Sequence, residues 1–152
     1  MSEPAERWVL FICVENACRS LMAEAIFNAK PPPGWRAMSA GTRPAERPNP
    51  RTERMLGEIG LSAPSHPPAL LTPEMMDRAS VRINMGCLDD ASCPVSLTGR
   101  ELRDWQLDDP ARLDDDGFRR LRDRLVDRVR GLRTEIGLAD KRAPTSTRSG
   151  PR

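Results

Sequence analysis

Cys13 and Arg19 stand five residues apart in the run C-V-E-N-A-C-R-S, residues 13 to 20. A thiol becomes a nucleophile as its thiolate, and nearby cations and hydrogen-bond donors favour that form. Arg19 brings a permanent planar cation that can hold two oxygens of one anion. Ser20 can donate to the Cys13 sulfur. Asn16, in the middle of the run, tolerates a left-handed backbone and can tie a loop together through its amide. The spacing predicts a loop whose backbone, from Val14, Glu15, Asn16, Ala17 and Cys18 to Arg19, encircles a tetrahedral oxyanion. Cys13, Arg19 and Ser20 would then be catalytic. The competing reading makes Cys13 a buried apolar residue at a strand end, but it explains neither the arginine nor the serine.

Such a loop needs a strand before it and a helix after it. Residues 8 to 13 form an apolar run that reads as a buried strand, and 19 to 29 read as the helix that follows. The helix macrodipole adds positive potential where the anion would sit. Pro31, Pro32, Pro33 and Gly34 stop that helix. Further strands are expected at 35–40, closed by Gly41, at 80–85, and as a short piece within 101–107. Helices are expected at 51–59, ended by Gly60, and at 73–79. Phe118, Leu121, Leu125, Val129, Leu132 and Ile136 recur at helical spacing and predict a long final helix. Its arginine-rich remainder reads as a solvated face with Asp123 and Asp127 as local partners. Trp8 is expected in the core.

Strands alternating with helices imply an α/β fold: one domain with a doubly wound, four-stranded parallel sheet and helices on both faces. Ligands of such sheets bind beyond the carboxyl ends of the strands, where Cys13 falls. Residues 1–138 are assigned to this domain. Residues 139–152, rich in Pro, Ser, Thr and Arg, are assigned to a disordered tail.

The 152 residues carry 24 basic and 22 acidic side chains. Without Lys141, Arg142, Arg148 and Arg152 the net charge goes from +2 to −2. Attraction for anions is therefore local, which argues against nucleic acid as a partner. The apolar run at 8–12 is too short to span a membrane, and Glu3 and Glu6 stand where a signal peptide would be basic. A cytoplasmic location is expected, and with it reduced or redox-active cysteines rather than structural disulfides. A monomer is expected.

The stretch V-L-F-I-C-V-E-N-A-C-R-S-L-M-A-E-A resembles the active-site loop and first helix shared by low-molecular-weight protein tyrosine phosphatases and thioredoxin-coupled arsenate reductases. Ser39-Ala40-Gly41, the E-I-G at 58–60 and the pair Asp109-Pro110 are similar to the same family. The resemblance spans roughly residues 7 to 137. It implies Asp109, rather than neighbouring Asp108, as the general acid for a departing oxygen. This chain departs from the family in having Glu15 where glycine is usual.

Cys87 and Cys93 distinguish two activities. The resemblance to the reductases implies a relay in which Cys13 attacks arsenate, Cys87 attacks Cys13, and Cys93 attacks Cys87. Thioredoxin then reduces the last disulfide. The family spacing between the second and third cysteines is usually one residue longer. Bridged cysteines need Cα atoms about 4.4–6.8 Å apart, whereas residues six apart on a helix are separated by about 9 Å along it. The segment is therefore expected to rearrange on oxidation. A phosphatase needs Cys13 alone, and hydrolysis of phosphate monoesters is the alternative activity. The absence of Tyr, with Ala111 after the Asp-Pro pair, leaves few aromatic walls for an aryl group. A zinc site at His66, Cys87 and Cys93 lacks close ligand pairs. Cys18 is either a bystander or a disulfide partner of Cys13. No tightly bound cofactor is expected. Glu24, Asn16 and Ser39 match positions where some family reductases hold a potassium ion, but Pro67, Pro68, Ala69 and Leu70 offer no acidic fourth ligand.

Overall fold

The computed structural model describes residues 6–85, 102–105, 107–108 and 110–142. Four strands, β1 (Arg7–Cys13), β2 (Trp35–Gly41), β3 (Ala79–Asn84) and β4 (Arg103–Asp104), form one parallel sheet in the order β2-β1-β3-β4. The central strand β1 carries the run Val9–Ile12, wholly buried, because a strand flanked on both edges and covered on both faces meets no water. Its partner β2 runs in strict register from Arg7 opposite Trp35 to Cys13 opposite Gly41. The sequence placed a strand within 101–107; among the described residues of that stretch, Arg103 and Asp104 pair, opposite Ile83 and Asn84.

Helices α1 (Arg19–Ala29), α2 (Pro50–Gly57), α3 (Pro73–Arg78) and α4 (Asp115–Arg142) complete the described fold. One face of the sheet packs Val9, Phe11 and Ile83 against α1, α2 and the apolar stripe of α4. Phe11 is fully buried, with Phe27 edge-on at 6.4 Å and Trp105 at 5.8 Å between ring centres. The other face packs Leu10, Ile12 and Ala40 against Met76 of α3. Trp8, expected in the core, is only half-buried at the start of β1, with the Arg78 guanidinium over its ring.

Helix ends follow local chemistry. Asn49 caps α2 by accepting from the Arg51 N–H, and Pro50 takes the first helical position, where its missing donor costs nothing. Beyond α2, Gly60 adopts φ +81° and the Leu61 N–H returns to the Leu56 carbonyl, a glycine-dependent helix stop. At α4, Asp114 accepts from the Gly117 N–H through its side chain, which starts the helix three residues before the apolar stripe. The far end continues to Arg142, so residues 139–142 are helical rather than part of a disordered tail. Asp140 holds them down by accepting from both terminal nitrogens of Arg7 and from the Trp35 indole. No helix among the described residues is long and apolar enough to cross a membrane.

Candidate active site

The chain leaves β1 at Cys13 and enters α1 at Arg19, and the turn between them is a compact loop. Asn16 sits at φ +51°, a left-handed conformation that asparagine accepts more readily than most residues. Its side chain makes three hydrogen bonds: Nδ2 donates to Ser20 Oγ at 2.7 Å and to Ser39 Oγ at 2.9 Å, and Oδ1 accepts from the Ala69 N–H at 2.8 Å. The loop is therefore tied to α1, to β2 and to the segment after His66.

The residues following β2 act as a strap outside the loop. The carbonyls of Cys13, Val14, Glu15 and Ala17 accept from the N–H groups of Thr42, Arg43, Ala45 and Asn49 at 2.8 to 3.2 Å. Thr52 Oγ1 also donates to the Ala17 carbonyl. Across a trans peptide the carbonyl and the next N–H point in opposite directions, and the described chain has no cis bond. The N–H groups of Val14, Glu15, Asn16 and Cys18 consequently turn inward. Helix α1 has no side-chain cap at its N-terminus, which leaves its first donors for a ligand. Gly41 is required by close approach: a Cβ there would stand 2.4 Å from the Val14 carbonyl oxygen and 2.9 Å from the Asn16 nitrogen.

At the floor of this cradle the Cys13 sulfur lies 2.9 Å from Ser20 Oγ and accepts from the Asn16 N–H at 3.2 Å. Both contacts favour negative sulfur. Cys18, buried in the same loop, is different: burial pushes its thiol up to about 12, against a smaller opposing bond from Thr52. It stays protonated and a poor nucleophile. Arg19 Nη1 donates to the carbonyls of Met85 and Leu107 at 3.2 and 3.3 Å, which fixes the guanidinium at one wall. A pocket of about 260 Å³ opens above the sulfur, lined by Cys13, Val14, Glu15, Ala17, Cys18, Arg19, Asn49 and Pro110. Glu15 is exposed, with its carbonyl held outward by Ala45.

Cys87, Cys93 and Asp109 lie outside the described residues. Asn49 and Pro110, which sequence reasoning missed, both line the pocket; the helix-cap pattern Asn-Pro was the one signal for the first.

Glu24, Asn16 and Ser39 do come together, but not as cation ligands. Asn16 presents its amide donors, Ser39 donates to Glu24, and His66 Nε2 covers both Glu24 oxygens at 2.8 and 3.0 Å. Inward-pointing protons and a histidine over the carboxylate do not fit a potassium ion, and no His, Cys, Asp and Glu cluster suited to a metal occurs among the described residues. Burial disfavours a charged His66, yet its bond to the Pro67 carbonyl and its contact with Glu24 leave its pKa raised overall.

A thiol cradled by inward N–H groups at the carboxyl edge of a doubly wound sheet defines a class of anion-binding, cysteine-bearing α/β proteins. Residues 8–142 match the pattern of the low molecular weight phosphotyrosine protein phosphatases, and the chain belongs to that family. Among relatives, an arsenate reductase of Brevibacillus brevis is 28% identical over 125 residues, 82% of this chain and 92% of that one. An arsenate reductase structure from Archaeoglobus fulgidus is 34% identical, with a TM-score of 0.68, covering 82% of this chain and 97% of that one. A thioredoxin-dependent arsenate reductase of Corynebacterium glutamicum is 30% identical, with a TM-score of 0.74; the match covers 89% of this chain and 64% of that one.

Proposed function

We propose that the protein reduces arsenate to arsenite through a cysteine relay, drawing electrons from thioredoxin. One observation carries this reading: the Cys13 sulfur, held by Ser20 and the Asn16 N–H, faces a pocket lined by the loop backbone and Arg19, with no aromatic residue among its described walls. The similarity to arsenate reductases supports it, as do two further cysteines between β3 and β4.

The Cys13 thiolate attacks arsenic(V), forming an S–As bond while an As–OH oxygen takes a proton from Asp109 and leaves as water. Loop N–H groups and Arg19 balance the oxyanion charge. Cys87, as thiolate, then attacks the Cys13 sulfur. The S–As bond breaks toward arsenic, its electron pair reduces arsenic(V) to arsenic(III), and arsenite departs from a Cys13–Cys87 disulfide. Attack by Cys93 on Cys87 frees the Cys13 thiolate and leaves a Cys87–Cys93 disulfide. The thioredoxin dithiol reduces that disulfide.

The test supplies arsenate with thioredoxin, thioredoxin reductase and NADPH. NADPH oxidation should be arsenate-dependent and lost in Cys87→Ser and Cys93→Ser, while both variants still hydrolyse aryl phosphates. The family's phosphatase members favour a second reading, hydrolysis through a Cys13 phosphoenzyme. That reading predicts hydrolysis with no NADPH consumption in the wild-type protein.

A further inference from the structure

Arg51, in the first turn of α2, makes contacts that neither the anion loop nor the core explains. Its Nη1 donates to the Leu113 carbonyl at 2.8 Å and its Nη2 to the Pro110 carbonyl at 2.9 Å. The guanidinium lies 4.6 Å over the buried Phe118 ring and 3.6 Å from Asp115. Two donors in a rigid fork, stacked on an aromatic face, fix a backbone segment more tightly than a single flexible ammonium does. The start of the same helix also grips the anion loop, where the Asn49 N–H and Thr52 Oγ1 both donate to the Ala17 carbonyl. One turn of α2 therefore fastens the anion loop with one hand and the Pro110–Leu113 segment with the other.

Pro110 lines the pocket, and one peptide bond joins it to Asp109. A general acid works only within hydrogen-bond reach of the departing oxygen, so a displacement of about 1 Å is costly. We infer that Arg51 is a positioning residue: it sets the register of the Pro110–Leu113 segment against the anion loop and so places the acid. This rests on Asp109 being that acid, as proposed above.

Acid placement has a signature that a general loss of structure lacks. Phenolate is a poorer leaving group than p-nitrophenolate and needs the proton more. The experiment measures kcat/KM for phenyl phosphate and p-nitrophenyl phosphate in the wild type, Arg51→Met, Arg51→Lys and Asp109→Asn, with circular dichroism of each. Asp109→Asn should lose about a hundredfold on phenyl phosphate and clearly less on p-nitrophenyl phosphate. Arg51→Met should lose about tenfold on the first substrate and less than about threefold on the second, with the pH–rate profile changed on its alkaline, acid-requiring limb. Arg51→Lys, which keeps the charge but lacks the fork that spans both carbonyls, should fall between and carries the test if Arg51→Met does not fold. Equal losses on both substrates in the Arg51 variants, or none, alongside a split in Asp109→Asn, would overturn the role of Arg51. No split in Asp109→Asn would overturn the acid assignment itself, and the role of Arg51 with it.

Discussion

The Ser20 hydroxyl lies 2.9 Å from the Cys13 sulfur, and its oxygen already accepts from Asn16 Nδ2 at 2.7 Å. Once the sulfur is a thiolate it has no proton to give, so Ser20 is the donor in the first contact while its oxygen accepts from the amide in the second. The Asn16 backbone N–H approaches from another side. The thiolate thus has two donors before any anion arrives.

Removing one of them should show directly. Hydrogen bonds to charged groups are worth about 1.5–3 kcal/mol, and one pH unit corresponds to about 1.4 kcal/mol. Ser20→Ala should move the Cys13 thiolate titration upward by roughly one to two units, read as the pH dependence of its alkylation by iodoacetamide. Cys18, with its thiol pushed up to about 12, should stay unmodified in the folded protein up to mildly alkaline pH, as peptide mapping would reveal.

Gly41→Ala places a methyl group 2.4 Å from the Val14 carbonyl oxygen, a backbone atom. The loop has to shift, because neither atom belongs to a flexible side chain. Overpacking of this kind costs about 1–3 kcal/mol. The larger effect should be on function: oxyanion affinity, measured by titration with inorganic phosphate, should fall at least about tenfold while the circular dichroism spectrum stays native.

His66 should make stability depend on pH. Its folded pKa is raised despite burial, through the Pro67 carbonyl and Glu24. A raised folded value means that the stabilisation is complete below the ordinary histidine pKa of about 6.5 and disappears as pH climbs through the raised one. Urea unfolding followed from pH 6 to 9 should show a decline that His66→Gln lacks. An unchanged slope in that variant would exclude His66 as its source.

The end of α4 invites a truncation. Ending the chain after Leu138 removes Asp140 and its bonds to Arg7 and Trp35. The ion pair is partly exposed and worth at most about 1 kcal/mol, and the indole bond adds a similar amount. Thermal unfolding should register a loss of about 1–2 kcal/mol. Asp140→Asn should reproduce part of it.

Much of this arrangement was readable from local patterns. The bounds of α1 coincide with the expected 19–29 because a proline run stops the helix on one side and the anion loop begins it on the other. The stripe from Phe118 to Ile136 located α4, whereas its extension to Arg142 depends on a partner 133 residues away in sequence, Arg7, which periodicity does not report. Trp8 read as core because it begins an apolar run, yet β1 enters the protein there and its first residues remain near solvent. The resemblance grouped Asn16, Ser39 and Glu24, but as cation ligands; their bonds to one another and to His66, and the Arg51 clamp on the Pro110 and Leu113 carbonyls, were not legible, since they join separate elements. Gly41 was visible as the end of a strand, while the reason for it, the nearness of Val14 and Asn16, exists only in three dimensions.

The strap formed by residues 42–52 has a practical consequence for protein engineering. The eight-residue motif from Cys13 to Ser20 is not a self-contained cassette, because its outward carbonyls find their partners in chain contributed after β2. Transplanted alone onto another strand–helix junction, it would arrive without the scaffolding that turns its amides toward the ligand. A working graft has to carry both stretches, with a glycine at the position of Gly41.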